Sequence, residues 1–212
     1  MDYFKKSLKL DLSFFGENHP SVASGYYNIG YVYFAQGDYS KALEYFEEVL
    51  KIRLSVYGEN HSRVASVYND IGEIYSGQGD DLKALEYFKK SLKIVLSVYG
   101  ENHSQVSSIY DHIGEIYFAQ KDYSKALYYF EESLKIRLSL FGENHPEVAL
   151  SYYSIGSLYI IQGDKSKALN YYEKSLKIRL SVYGENHPLT KEIMDLINVA
   201  NSKVLQSPET TK

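Results

Sequence analysis

The chain of 212 residues sets 23 Lys and Arg against 27 Asp and Glu, a net charge of −4, so no global positive field gathers phosphates and non-specific nucleic-acid binding loses its main driving force. With 44% hydrophobic and 24% charged residues there is material for a core and the charge of an ordinary water-exposed surface. The absence of Cys excludes disulfides, thiolate nucleophiles and zinc sites that need sulfur.

Met1 to Lys9 alternate charged and apolar side chains, unlike the basic segment and apolar run of a signal peptide. No window approaches the roughly 18 consecutive apolar residues of a membrane span. A cytoplasmic setting is therefore expected, without membrane or nucleic-acid partners. Residues 1–15 read as one helix, with Phe4, Leu8, Leu12 and Phe15 on a stripe. Gly16-Glu17-Asn18-His19 follows, and then Pro20, suited to a first helical turn because its missing N–H costs nothing there. Val22, Tyr26, Ile29, Gly30 and Tyr33 mark one face of this helix, called A. It closes near Gln36-Gly37, where glycine can adopt the left-handed cap. Asp38 opens helix B, with Ala42, Leu43, Phe46, Leu50, Ile52 and Leu54 at helical spacing, up to Tyr57 and Gly58.

The same passage then returns. Gly-Glu-Asn-His stands at Gly16, Gly58, Gly100, Gly142 and Gly184, each 42 residues after the last, with no insertion or deletion. Between these marks run columns of Ile (29, 71, 113, 155), Gly (30, 72, 114, 156), Tyr (33, 75, 117, 159) and Ala (42, 84, 126, 168). Such self-similarity means stacked supersecondary units. The small Gly and Ala columns are where two antiparallel helices must approach closely. The expected organisation is a lone B helix (1–15), four A/B hairpins (16–57, 58–99, 100–141, 142–183), a closing helix (184–205) and a disordered tail (206–212). The fold class is all-α, an α-α superhelix: a right-handed solenoid of antiparallel hairpins with about ten helices.

Tyr26, Ile29, Gly30, Tyr33, Gly37-Asp38-Tyr39, Ala42 and Phe46 resemble the tetratricopeptide repeat, whose usual period is about 34 residues. The longer unit here, with an extended helix B and the Gly-Glu-Asn-His linker, is similar to the repeats of kinesin light chains.

No constellation in the chain carries catalysis. The linker His residues recur one repeat apart, at least about 8–10 Å when hairpins stack, whereas zinc needs its ligands within about 2 Å. They are linker caps, and neither a metal nor a cofactor is expected. No Gly-x-Ser-x-Gly elbow occurs, and His112, beside Asp111 and Glu115, reads as a solvated residue. The protein is not expected to be an enzyme.

The resemblance implies instead a peptide groove on the exposed, concave face of the A helices. Its positions are Tyr27, Asn28, Tyr31 and Phe34, then Asn69, Asp70, Glu73 and Ser76, then Asp111, His112, Glu115 and Phe118, then Tyr153, Ser154, Ser157 and Ile160. These columns vary while the packing columns hardly do, which is the pattern of recognition on a constant scaffold. The cations that clamp chaperone tails in some tetratricopeptide proteins are missing here. Kinesin light chains use basic groove residues and a groove Asn, and only Asn28 keeps that Asn. The four A helices hold one basic residue, Arg63, against Asp70, Glu73, Asp111, Glu115 and Glu147, while Lys51, Lys93, Lys135 and Lys177 form a solvated column on the B helices. The expected ligand is a protein or peptide segment with basic and apolar residues. A structural spacer or self-assembling segment is the alternative, and the unmatched first and last helices suggest weak head-to-tail self-association.

Overall fold

The computed structural model describes residues 1–202. Residues 203–205 of the expected closing helix and the tail 206–212 lie outside them. Ten helices are present among the described residues: α1 (Asp2–Phe15), α2 (Pro20–Ala35), α3 (Tyr39–Tyr57), α4 (Ser62–Gly77), α5 (Asp81–Tyr99), α6 (Ser104–Ala119), α7 (Tyr123–Phe141), α8 (Pro146–Gln162), α9 (Lys165–Tyr183) and α10 (Pro188–Ser202). The chain divides into two units, Met1–Glu101 and Asn102–Lys212. The first contains α1 to α5 and the second α6 to α10.

The linker chemistry fixes where each helix ends and the next begins. Gly58, at φ 75°, lets its N–H bond Leu54 O at 3.0 Å as helix α3 stops. Three residues later His61 caps α4, its Nδ1 accepting the Arg63 N–H at 3.1 Å. His19, His103, His145 and His187 make the same bond to the second residue beyond them. The imidazole also stacks on the last aromatic of the preceding helix, at 4.3 Å for Phe15 with His19, 4.6 Å for Tyr57 with His61 and 4.3 Å for Phe141 with His145. One side chain thus satisfies an orphan helix donor and welds two consecutive helices.

Inside each hairpin the A helix ends in a turn and an Asp caps the B helix. Asp38, Asp80, Asp122 and Asp164 accept the backbone N–H of the third residue on, Lys41, Lys83, Lys125 and Lys167. The turn residue before the Asp has positive φ, and it is Gly in three hairpins but Lys121, at φ 62°, in the third.

Packing explains the Gly column. A Cβ on Gly72 would lie 2.8 Å from the Phe88 ring, on Gly114 2.7 Å from Phe130, and on Gly156 2.7 Å from Tyr172. The B-helix ring therefore occupies the space a Cβ would need, against bare A-helix backbone. In the first unit Phe46, the ring at the same position of the repeat, joins Leu8, Val22, Ile29, Val49, Ile52, Ile71 and Ile74 in one core. In the second, Phe130 packs with Ile155 and Leu158, and Val148 and Ala149 with Ile178. Helix α10 carries Asn198 at the Gly position of the repeat and exposes it. A head-to-tail partner helix would have to seat there without the slot that receives a ring elsewhere.

Candidate functional site

The A-helix columns singled out in the sequence separate into exposed and interior residues. Asn28, Tyr31, Ser76, Glu115 and Ile160 are exposed, with Tyr31 at 56%. Phe34 and Phe118 instead plug their own hairpins, 6.0 Å from Tyr39 and Tyr123 respectively. Tyr27 packs edge-on against Phe46 at 5.2 Å. Tyr153 lies 6.2 Å from Tyr172 and donates to Glu192, while Ser157 bonds the Tyr153 carbonyl at 2.9 Å. Ser154 is half-buried.

Beneath these columns runs a set of residues that sequence reasoning passed over, the arginines of the B helices. Arg53, Arg137 and Arg179 occupy one position of the repeat, and Val95 fills it in the remaining hairpin. Each guanidinium turns toward the A helix that follows. Arg53 Nη1 donates to Arg63 O at 2.8 Å and to Ser66 Oγ at 2.9 Å. Arg137, only 4% exposed, pairs with Asp111 at 2.6 Å and Glu147 at 2.9 Å and bonds Ser151 Oγ at 2.8 Å. Arg179 donates to Leu189 O at 2.6 Å and meets Glu192 at 3.4 Å. Arg53 and Arg179 also stand over the rings of Tyr27 and Tyr153, 5.4 and 5.0 Å from the centroids, which suits a cation on an aromatic face. The signal was legible: a position that accepts Arg in three copies and Val in the fourth is an interior position.

This column changes the charge of the A-helix face. Asp111 is not a free acid, because Arg137 neutralises it, although burial still raises its pKa. Asp70 is more extreme. Burial and then the neighbouring Glu73 push it up to about 7, against the pull of Arg53, and its Oδ2 has no hydrogen-bond partner. Tyr27 is driven up to about 12 by burial and by the charge of Asp70. Burial also raises Glu73, which accepts a bond from Asn69 Nδ2 at 2.6 Å. His112 is half-buried, not solvated, and burial lowers its pKa. The Lys51 column is exposed as expected, with side chains at 70% for Lys51 and 77% for Lys135.

Comparison with known proteins agrees with this architecture. The Tetratricopeptide repeat family model matches residues 2–55, 21–97, 63–139 and 105–181 in overlapping copies. The chain belongs to the tetratricopeptide repeat family. Tetratricopeptide repeats generally mediate contacts between proteins and act as non-catalytic scaffolds. Among solved structures, BtubC (BKLC) from P. vanneervenii is similar at 18% identity, covering 100% of this chain and 93% of that one, with a TM-score of 0.76. A putative kinesin light chain of Podosopora anserina with nearly identical TPR-like repeats is similar at 17% identity, covering 89% of this chain and 99% of that one, with a TM-score of 0.68; a substituted form of that protein scores 0.69. At these identities the likeness establishes the fold, the all-α superhelical class of tetratricopeptide solenoids. No curated protein matches the chain. Among the described residues no helix is long and apolar enough to cross a membrane.

Proposed function

We propose that this tetratricopeptide chain is a cytoplasmic, non-catalytic scaffold whose A-helix face holds a peptide segment or helix of a partner protein. The observation that carries the reading is the contrast between columns. Ile29, Gly30 and Ala42 with their repeats are buried and nearly invariant, whereas one A-helix column reads Tyr31, Glu73, Glu115 and Ser157, with Tyr31 and Glu115 exposed, and another reads Phe34, Ser76, Phe118 and Ile160, with Ser76 and Ile160 exposed. A scaffold that only spaced larger units would have no reason to vary these positions and keep the others.

The ligand carries apolar and basic side chains: the exposed apolar surface it can meet is Tyr31 on the A-helix face of the first unit and Ile160 on that of the second, each taken by itself. Asp111 is paired with Arg137 and Asp70 is only partly ionised near neutral pH, so the pull on a ligand cation comes chiefly from the exposed Glu115 of the second unit. Each such contact is worth about 1 kcal/mol or less at a half-wet surface and fades as salt rises. Selection of a displayed peptide library on the purified chain tests the reading, with recovery of sequences that bind saturably and lose affinity on Tyr31→Ala or on Glu115→Lys. If no sequence binds saturably, the spacer alternative replaces it.

A further inference from the structure

In the first unit a cavity of about 280 Å³ lies among Pro20 and Ser24 of α2, Arg53 and Tyr57 of α3, and Arg63 and Ser66 of α4. At the corresponding place in the second unit the charge is satisfied from within. There Arg137 meets Asp111 and Glu147, one cation against two carboxylates. Subtracting two repeats of 42 turns Asp111 into Tyr27 and Glu147 into Arg63. The first unit thus holds two guanidiniums where the second holds one, and aromatic and cationic side chains where the second holds acids.

Among the described residues neither Arg53 nor Arg63 forms a salt bridge with a carboxylate; Asp70 acts on Arg53 only through its charge. Arg53 uses Nη1 for Arg63 O and Ser66 Oγ, and Arg63 uses Nη1 for the Tyr57 hydroxyl, with its guanidinium 5.0 Å from that ring's centroid. The Tyr57 hydroxyl has no equivalent beside Glu147, where Phe141 takes its place. Both arginines thus donate through Nη1 alone among the described residues, and the charge of Arg63 acts on Arg53. Two like charges facing one cavity call for an anion from outside.

The geometry points to a phosphate-monoester site between Arg53 and Arg63, occupied by a phosphorylated side chain of the partner segment. A carboxylate brings one charge and serves one guanidinium, as Glu147 does for Arg137. A phosphate monoester brings about −1.5 to −2 and three acceptor oxygens, enough for both arginines. A net charge of −4 disfavours a nucleic-acid backbone, so the phosphate is a single group on a protein. This inference rests on the partner-binding reading for the source of the phosphate, while the pocket's chemistry stands on its own.

The test uses the chain labelled at the arginine Nε nitrogens and titrated with N-acetyl-phosphoserine methylamide, with the serine and glutamate methylamides and inorganic phosphate in parallel. Saturable shifts at Arg53 and Arg63 are expected with the phosphoserine compound, at an affinity about tenfold above the glutamate compound. Arg63→Glu installs beside Arg53 the carboxylate that the second unit has, so it should abolish those shifts without lowering the melting temperature. Equal binding of the glutamate and phosphoserine compounds overturns the phosphate assignment. So does an absence of saturable shifts at the two arginines, or binding that survives Arg63→Glu. Inorganic phosphate binding tighter than the phosphoserine compound overturns the protein source. These small probes need no other contact with the A-helix face, so their failure leaves peptide selection unaffected, and a failed selection leaves their result standing.

Discussion

The two units place a B-helix arginine under the following A helix and solve its charge in opposite ways. Around Arg137 the second unit gathers Asp111 and Glu147 into a closed network at 2.6 and 2.9 Å. Around Arg53 the first offers a tyrosine ring, a backbone carbonyl and a serine hydroxyl, then adds a second cation. One backbone repeat therefore holds a finished ion network and an unfinished one. What separates them is the identity of two A-helix residues, not a change of fold.

The largest effect should come from emptying the finished network. Arg137→Met strands Asp111, whose side chain is 18% exposed, beside Glu147. Removing one partner of a buried pair typically costs about 3–5 kcal/mol, because the remaining charge stays buried and uncompensated. Arg53→Met, which strands no paired carboxylate, should cost about 1 kcal/mol through lost hydrogen bonds. Urea unfolding of both variants measures the difference. Equal costs would mean that the two arginines do the same job.

This contrast also marks what the sequence disclosed. The helices, caps and Gly column were readable because each is dictated locally: a Gly that takes positive φ, an Asp or His at an N-cap, a ring that needs bare backbone opposite it. Tyr31, Asn28 and Glu115 are exposed for the same reason, since the helical period fixes which residues share a face. The interior fate of Asp70 and Asp111 was not readable, because whether an A-helix acid meets water or a guanidinium depends on a B-helix residue far along the chain, later for Asp111 with Arg137 and earlier for Asp70 with Arg53. Hydropathy scores all four as polar. Phe34 and Phe118 went the other way, since only the hairpin turn brings Tyr39 and Tyr123 onto them.

The next effect is one of pH, and it belongs to the first unit. Asp70 has a folded pKa of about 7 against an ordinary value of 3.8. Between these values the folded state holds a proton that the unfolded state has released, so stability falls as pH rises from about 4 to about 7. The loss is on the order of a few kcal/mol at most. Asp70→Asn removes the carboxyl while keeping its shape and should raise stability at about pH 7.5 by about 1–3 kcal/mol, with little gain at about pH 4. Denaturant midpoints at the two pH values check it; a gain that is the same at both would show that Asp70 is ionised freely in the fold.

A smaller difference should appear in the Gly column. At Gly30 an added Cβ stands 3.1 Å from Phe46 and Tyr45, whereas at Gly114 it stands 2.7 Å from Phe130. Alanine in a helix interior gains about 0.8–1 kcal/mol over glycine, and overpacking costs about 1–3 kcal/mol. Gly30→Ala should come out near neutral, and Gly114→Ala destabilising by about 1–2 kcal/mol. Thermal melts decide it, with equal shifts removing the distinction between the two ring contacts.

The smallest effect concerns the turn between A and B helices, where Gly37, Gly79 and Gly163 take φ of 74°, 78° and 83° and Lys121 takes 62°. A side chain in the left-handed region brings its Cβ close to the following carbonyl, at a cost of about 1–2 kcal/mol relative to the right-handed region. Glycine avoids that strain but loses more freedom on folding, which gives back about 0.5–1 kcal/mol. Lys121→Gly should therefore stabilise the second unit by about 0.5–1 kcal/mol, and Gly79→Lys should destabilise the first by a similar amount. A Cβ at Gly79 meets nothing within 4 Å, so packing cannot confuse the result there. Opposite shifts in denaturant midpoint are the expected outcome. If Lys121→Gly is destabilising instead, the lysine contributes something at this turn beyond its backbone, and the turns of the two units differ in more than strain.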